Sequence, residues 1–319
     1  MKVVSKKLGR NPLRNIDTAY MNGRGMYMDK FMKLPDYYRS QSLITDPEEY
    51  APLYEHIPDD VSEIVDMIQG LFLHIFWVQK YGVTLNEAQY KHVQSRKVSS
   101  ILAVIESLDK SPLSQQRPYE KRFIGNCRDH SVFLCSILRS KGIPARARCG
   151  FGTYFIPGHY EDHWMCEYWN SNENRWVSVD PQLDRLQKEA LSISFDPLDM
   201  PKGQFITGCE AWKLCRSGAA DPDSFGIMDM KGLDFVLGDF IRDIASLNKV
   251  ELLPWDCWGF MLKGVNALSA KEYTLLDKAA ELMLEGNERI YDIYASSPGL
   301  KAAGAIKSYV QGDATEFVI

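Results

Sequence analysis

The sequence predicts an α+β protein, and three observations carry that prediction. An apolar pattern of helical period begins at Cys127, directly behind the structure-breaking pair Gly125-Asn126. Two runs rich in aromatic and β-branched residues, 163–169 and 174–180, flank the turn-forming Asn170-Ser171-Asn172-Glu173. Further amphipathic helical patterns lie on both sides of this centre. A chain of 319 residues with 45% hydrophobic and 25% charged content has the length and composition to bury a core. The expected division is an N-terminal arm over 1–57, a core with a preceding helical pair over 58–195, and a mainly helical C-terminal region over 196–319.

The first 57 residues carry Tyr20, Tyr27, Tyr37, Tyr38 and Tyr50 without a sustained period, and read as an arm packed on the body. Met1 to Arg14 is basic but has no apolar run behind it, so no secretory signal is expected. Pro58-Asp59-Asp60 opens a helix expected to run through Val78, with Val61, Ile64, Val65, Ile68, Leu71, Phe72, Ile75 and Phe76 apolar. His74 falls inside that stripe and reads as a packed core histidine. Thr84 to Glu87 fits a capping box for a second helix, with Tyr90, Val93, Ile101, Leu102, Ile105 and Leu108 on one side.

Ser111 to Lys121 is a polar connection leading into the cysteine segment. Gln115, Gln116 or Tyr119 could offer a side-chain donor to an oxyanion, beside the backbone N–H of Cys127; a solvated loop is the competing reading. The helix that follows carries Val132, Cys135 and Leu138, and stops at Lys141-Gly142 with Pro144 beyond. Cys127 therefore occupies a first turn, where unpaired N–H groups and the helix dipole favour a thiolate. The plainer alternative is a small buried apolar residue.

Residues 146–155 alternate as a strand should, and Ile156-Pro157-Gly158 turns into the histidine strand. If Trp169 pairs with Asn174 across a four-residue loop, His163 falls opposite Asp180 and the two share a face. The other face then carries Trp164, Cys166 and Tyr168 against Val177 and Val179. A one-residue slip would undo the pairing. Cys127, His163 and Asp180 are, by type, a thiol nucleophile, a base and the group that orients the base.

The Gly-x-Cys-x-Asp segment at 125–129, the helix end Leu138-Arg139-Ser140-Lys141-Gly142-Ile143-Pro144-Ala145-Arg146, the Asp162-His163-Trp164 strand and Val179-Asp180-Pro181 together resemble the transglutaminase-like core of the papain-like superfamily. The resemblance covers roughly 120–185. It implies a catalytic helix packed on an antiparallel sheet, with Cys127 as nucleophile, His163 as general base and Asp180 holding the imidazole. The family commonly has a small residue after the histidine, where this chain has Trp164. The superfamily includes crosslinking transglutaminases, peptidases, amidases and members without activity.

Beyond the hairpin, Asp196-Pro197-Leu198-Asp199 and Asp221-Pro222-Asp223 are turn signals. Leu233 to Leu247 reads as an amphipathic helix, and Ser269 to Glu272 caps another that ends at Gly286-Asn287. Trp255 could line a cleft or form a packed corner. Arg128, Arg146 and Arg148 could bind a substrate carboxylate or pair with acidic neighbours. Trp164 is a further substrate-contact candidate.

A net charge of −5 gives no electrostatic case for nucleic acid or anionic membrane. The longest apolar run, 70–78, is far too short to span a bilayer. Seven cysteines without a Cys-x-x-Cys pair point to free thiols and a cytoplasmic protein. Cys127-x-x-His130 with His159-x-x-x-His163 can be written as zinc spacing, but His130 falls within a helix and His159 follows a Pro-Gly turn, so no metal is expected. No Asp-rich loop suggests calcium, and no cofactor is required. The expectation is acyl transfer on a peptide, protein or small amide through a thioester, with water as acceptor. Amine transfer and a non-catalytic binding role are the alternatives.

Overall fold

The structure, a computed structural model, describes residues 35–310 and 313–318. Tyr20 and Tyr27 of the expected arm, and the segment read for a secretory signal, lie outside the described residues. The architecture is α+β, with a six-stranded sheet at its centre. Within 35–57, Tyr38 is fully buried; its hydroxyl donates to Leu247 O at 2.9 Å and its ring meets Trp176 edge-on.

The apolar run after Pro58 does not form one helix. Helix α1 (Val61–Leu71), capped by the Asp60 side chain on the Ser62 and Glu63 N–H groups, gives way at Phe72 to strand β1 (Phe72–His74). Every residue of β1 is buried, and a fully buried strand shows the same continuous apolar run as a buried helix. The second expected helix is also divided, into α2 (Glu87–Tyr90) and α3 (Val98–Leu108). The capping box belongs to Asn86 and Gln89 rather than Thr84 and Glu87. His74 is buried against Phe76 and His130, and burial holds its pKa well below the ordinary value.

Strand β2 (Phe123–Gly125) pairs in parallel with β1, Phe72 against Phe123 and His74 against Gly125. It delivers the chain to α4 (Cys127–Ser140), whose first turn is closed by a reciprocal capping box between Asn126 and Asp129. Gly142, at φ +73°, ends the helix in the left-handed conformation that suits glycine. Strands β3 (Ala145–Gly152), β4 (Tyr160–Asn170) and β5 (Arg175–Val179) are antiparallel neighbours. Helix α5 (Arg185–Ala190) follows the hairpin.

The sheet continues past residue 195. Strand β6 (Phe205–Thr207) pairs with β3, β7 (Phe225–Ile227) runs parallel to β4, and β8 (Met230–Lys231) pairs with β7. Between and after them come α6 (Gly208–Arg216) and α7 (Leu233–Leu247), then β9 (Asp256–Cys257), α8 (Gly259–Lys263), α9 (Ala270–Leu284) and α10 (Arg289–Ser296). Strands β10 (Ile306–Val310) and β11 (Asp313–Phe317) join β9 in a separate small sheet. One core cluster lies between α4 and the sheet, with Val132, Leu134, Leu138, Trp164 and Val179; a larger one gathers Trp212, Phe240, Trp258 and Leu276 among the later helices. No helix among the described residues is long and apolar enough to cross a membrane.

Candidate active site

Asn126 is the N-cap of α4 and Cys127 its first helical residue. The cap works in both directions: Asn126 Oδ1 accepts from the Asp129 N–H at 3.1 Å, and Asp129 Oδ2 accepts from the Asn126 N–H at 3.0 Å. Asp129 is thereby committed to the helix start, and Arg128 holds its other oxygen at 2.9 Å. The Cys127 N–H has no hydrogen-bond partner among the described residues, as expected for a first-turn amide. Asn126 Nδ2 is likewise buried without a partner.

The hairpin register differs from the expected one by two residues. Asn170 pairs with Arg175, Glu167 with Ser178 and Cys166 with Val179, so the loop is 171–174 with Asn174 at φ +54°. A shift of two preserves the face on which each side chain lies. Trp164, Cys166, Val177 and Val179 are in the core against α4, as the alternation requires. Asp180, just past the end of β5, is a diagonal rather than direct neighbour of His163, and the two still meet: His163 Nε2 lies 2.9 Å from Asp180 Oδ2, with both residues buried.

Asp180 accepts two further hydrogen bonds, from the Tyr154 hydroxyl at 2.6 Å and the Gln182 N–H at 3.0 Å. Burial alone would raise its pKa, but the His163 charge and these donors together hold it below the ordinary carboxylate value. Tyr154 was not visible as a site residue in the sequence. It sits on the loop between β3 and β4, and only its return over the sheet brings it to Asp180. Phe155 from the same loop packs edge-on to the His163 ring at 4.9 Å, and Phe195 packs against Tyr154 at 5.4 Å.

Cys127 departs from the expectation of a ready thiolate. Burial pushes its thiol well above the ordinary value, and the Asp162 and Asp180 charges add to this, while the Trp164 amide acts in the opposite direction. The helix start is thus outweighed by desolvation. Asp162 itself is pushed up to about 6 by burial, against the pull of Arg242 and His163.

The remaining candidates fall elsewhere. Gln115, Gln116 and Tyr119 are exposed and make no hydrogen bond to the cysteine segment; Gln116 and Tyr119 line a separate cavity whose walls include none of Cys127, His163 and Asp180. Arg128 is fully buried and bound to Asp129 and to the carbonyls of Glu251, Ser95 and Arg96, so it has no freedom to meet a substrate. Arg146 and Arg148 pair with Glu167. The Trp164 side chain is sealed in the core, and only its backbone faces the sulfur. Trp255 donates to Gln94 at 3.2 Å and packs on the cluster of Leu73, Val78 and Ile124, a packed corner.

The zinc spacing does not assemble. His130 is buried with Nδ1 2.8 Å from Asn126 O, and burial brings its pKa down to about 4; His159 contacts Glu161 and Gly226 O instead. Among the described residues the one convergence of three ligand-type side chains is Cys149, Asp162 and Asp239. Arg242 donates to Asp239 at 3.1 Å, so that cluster already contains its own cation.

Residues 88–181 match the family model of the transglutaminase-like superfamily, and the matched span contains Cys127, His163 and Asp180. The chemistry of that superfamily is in general cysteine-dependent acyl transfer. No curated protein and no solved structure matches the chain.

Proposed function

We propose that the transglutaminase-like segment of this chain performs cysteine-dependent acyl transfer on an amide or peptide bond, with water as the acceptor. The observation that carries the reading is the buried His163–Asp180 pair, 2.9 Å apart, with His163 on the strand whose next amide, that of Trp164, faces the sulfur of Cys127. Because Asp180 accepts from Nε2, the assigned tautomer leaves the lone pair on Nδ1. Cys127 Sγ attacks the carbonyl carbon as His163 Nδ1 takes the thiol proton. The tetrahedral intermediate collapses with that proton delivered to the departing amine, leaving a thioester on Cys127. Water, deprotonated by the same nitrogen, then releases the acid and restores the thiol. Burial, which pushes the thiol up, favours proton removal during the attack over its removal beforehand.

Asn126 Nδ2, buried without a partner, and the first-turn N–H of Cys127 are the donors we assign to the developing oxyanion. Asp180 fixes the imidazole and stabilises its charged form; Tyr154 fixes Asp180. A peptide, protein or small amide is the substrate class.

The test is a set of peptide carboxamides incubated with the full chain, reading amine release and the mass of Cys127. An acyl adduct on Cys127 is expected, absent in Cys127→Ser, with release about 10³-fold slower in His163→Gln. Asn126→Ser keeps a cap oxygen but removes the donor, and should slow turnover about 10²-fold. Amine release unaffected by Cys127→Ser would overturn the reading, and products carrying an added amine would replace hydrolysis by amine transfer.

A further inference from the structure

A cavity of about 720 Å³ opens between α1, α5 and the segment 114–122. That is the size range of small-molecule sites. It lies behind the hairpin exit, where Gln69 of its wall donates to Pro181 O, the residue after Asp180.

One charge in its lining is unusual. Arg122 is only 3% exposed, yet no carboxylate lies within ion-pair distance of it among the described residues. Its Nε donates to Arg117 O and its Nη1 to Gln69 O, both at 2.9 Å, and Tyr119 lies under the guanidinium at 4.4 Å. Nη2 has no hydrogen-bond partner among the described residues. Asp184 is in the same lining and its charge acts on Arg122, but it lies beyond ion-pair distance and is engaged by the Tyr81 hydroxyl and the Gln187 N–H. The direct acceptors of this nearly buried guanidinium are neutral and Asp184 acts only from beyond ion-pair distance, which leaves Nη2 as the donor that a ligand carboxylate would take.

The opposite charge is present at a defined spacing. Glu63 and Asp66 line the cavity from the exposed side of α1, and neither is ion-paired among the described residues. Arg122 grips the carbonyl of Gln69 in the last turn of that helix. At a rise of about 1.5 Å per residue, Asp66 lies about 5 Å and Glu63 about 9 Å along the axis from that grip. The lining also holds Asp184 and the Arg185–Glu189 pair, so an anionic ligand alone would meet the unpaired carboxylates of α1, and a cationic one alone would meet Arg122.

We propose that this cavity binds a small linear zwitterion of the ω-amino carboxylate type, its carboxylate on Arg122 and its ammonium on Asp66 and Glu63. This goes beyond the acyl-transfer reading and does not rest on it, because binding is read without turnover and again in Cys127→Ser.

The probes are 6-aminohexanoate, hexanoate, hexylamine and glycine, titrated into the full chain by calorimetry. Binding of 6-aminohexanoate is expected, with hexanoate and hexylamine at least tenfold weaker for want of one charge, and glycine at least tenfold weaker for want of length. Arg122→Gln should reduce 6-aminohexanoate to the level of hexylamine. Because Arg122 also ties two backbone carbonyls, the exposed Asp66→Asn with Glu63→Gln provides the second test: 6-aminohexanoate should weaken at least tenfold, and hexanoate should not. No binding of 6-aminohexanoate at millimolar concentration, or equal binding of either singly charged probe, would overturn the proposal.

Discussion

On one face of the central sheet, Ala145, Ala147, Trp164, Cys166, Val177 and Val179 lie dry against α4. On the other, Arg148 donates through Nε and Nη2 to both oxygens of Asp243 on α7, at 2.8 and 2.9 Å, and Arg146 and Arg148 converge on Glu167. Residues of β3 and β4 alternate between the two, and His163, opposite Gly150, lies on the stretch of β4 that neither β5 nor β7 covers, where the neighbouring Trp164 amide reaches Cys127. The opposing Gly150 leaves room for β6: a Cβ there would come within 2.2 Å of Ile206 O. The dry face fixes where the cysteine helix sits. The ionic face specifies, through paired charges, how the histidine strand meets the helices that follow. Burial of Glu167 would raise its pKa, yet Arg146 and Arg148 hold it at about 2.

The contrast can be broken first on the ionic side. Arg148→Met leaves Asp243 buried without its bidentate partner, and should cost about 3–5 kcal/mol in a urea unfolding experiment. Adding Asp243→Leu should recover much of that loss. If the single variant matches wild type, the ionic face does not hold the two halves together.

On the dry side, Leu138→Ala in α4 should cost about 3 kcal/mol through lost burial and a cavity, with the pH dependence of stability unchanged. A changed pH profile would show that the two faces are not separable in this way.

The smallest effect sharpens the boundary between the faces. Asp162 is held near 6, above the ordinary carboxylate value, by burial. A raised pKa contributes stability that is present below about pH 4 and is lost as pH rises through about 6. Asp162→Asn should therefore flatten that window, by on the order of 2 kcal/mol, when urea midpoints are compared at pH 4 and pH 8. An identical slope in the variant would rule Asp162 out as the titrating group.

The elements that could be read in the sequence are those specified by neighbours in the chain. Helix α4 has its cap, period and terminal glycine within a short stretch, and α7 and α9 run over the expected residues, with the Ser269–Glu272 capping box in place. The face assignment of the hairpin followed from alternation alone. Its register did not, because 170–173 and 171–174 are both polar enough to turn, and the left-handed conformation at Asn174 decides between them. The break at Phe72 was hidden because its cause is remote: β1 leaves the helix to pair with a strand beyond the entire second helical region. Tyr154 on Asp180 and Asp243 on Arg148 were invisible for the same reason. The upward push on the Cys127 thiol is not legible in the sequence because a helix start can be read locally, whereas the depth at which it is buried cannot.

That parallel pairing of β1 with β2 bears on the order in which the protein assembles. Segments close in sequence find each other quickly, and contacts that close long loops come later. The short strand that aims Cys127 is completed by a partner made much earlier in synthesis, and the pair His163–Asp180 is made only after both. During synthesis, the proposed nucleophile Cys127 is therefore expected to become competent only after Asp180 has been added, rather than as a property of α4 alone. A chain halted shortly after Ser140 should carry a formed helix and an inert cysteine.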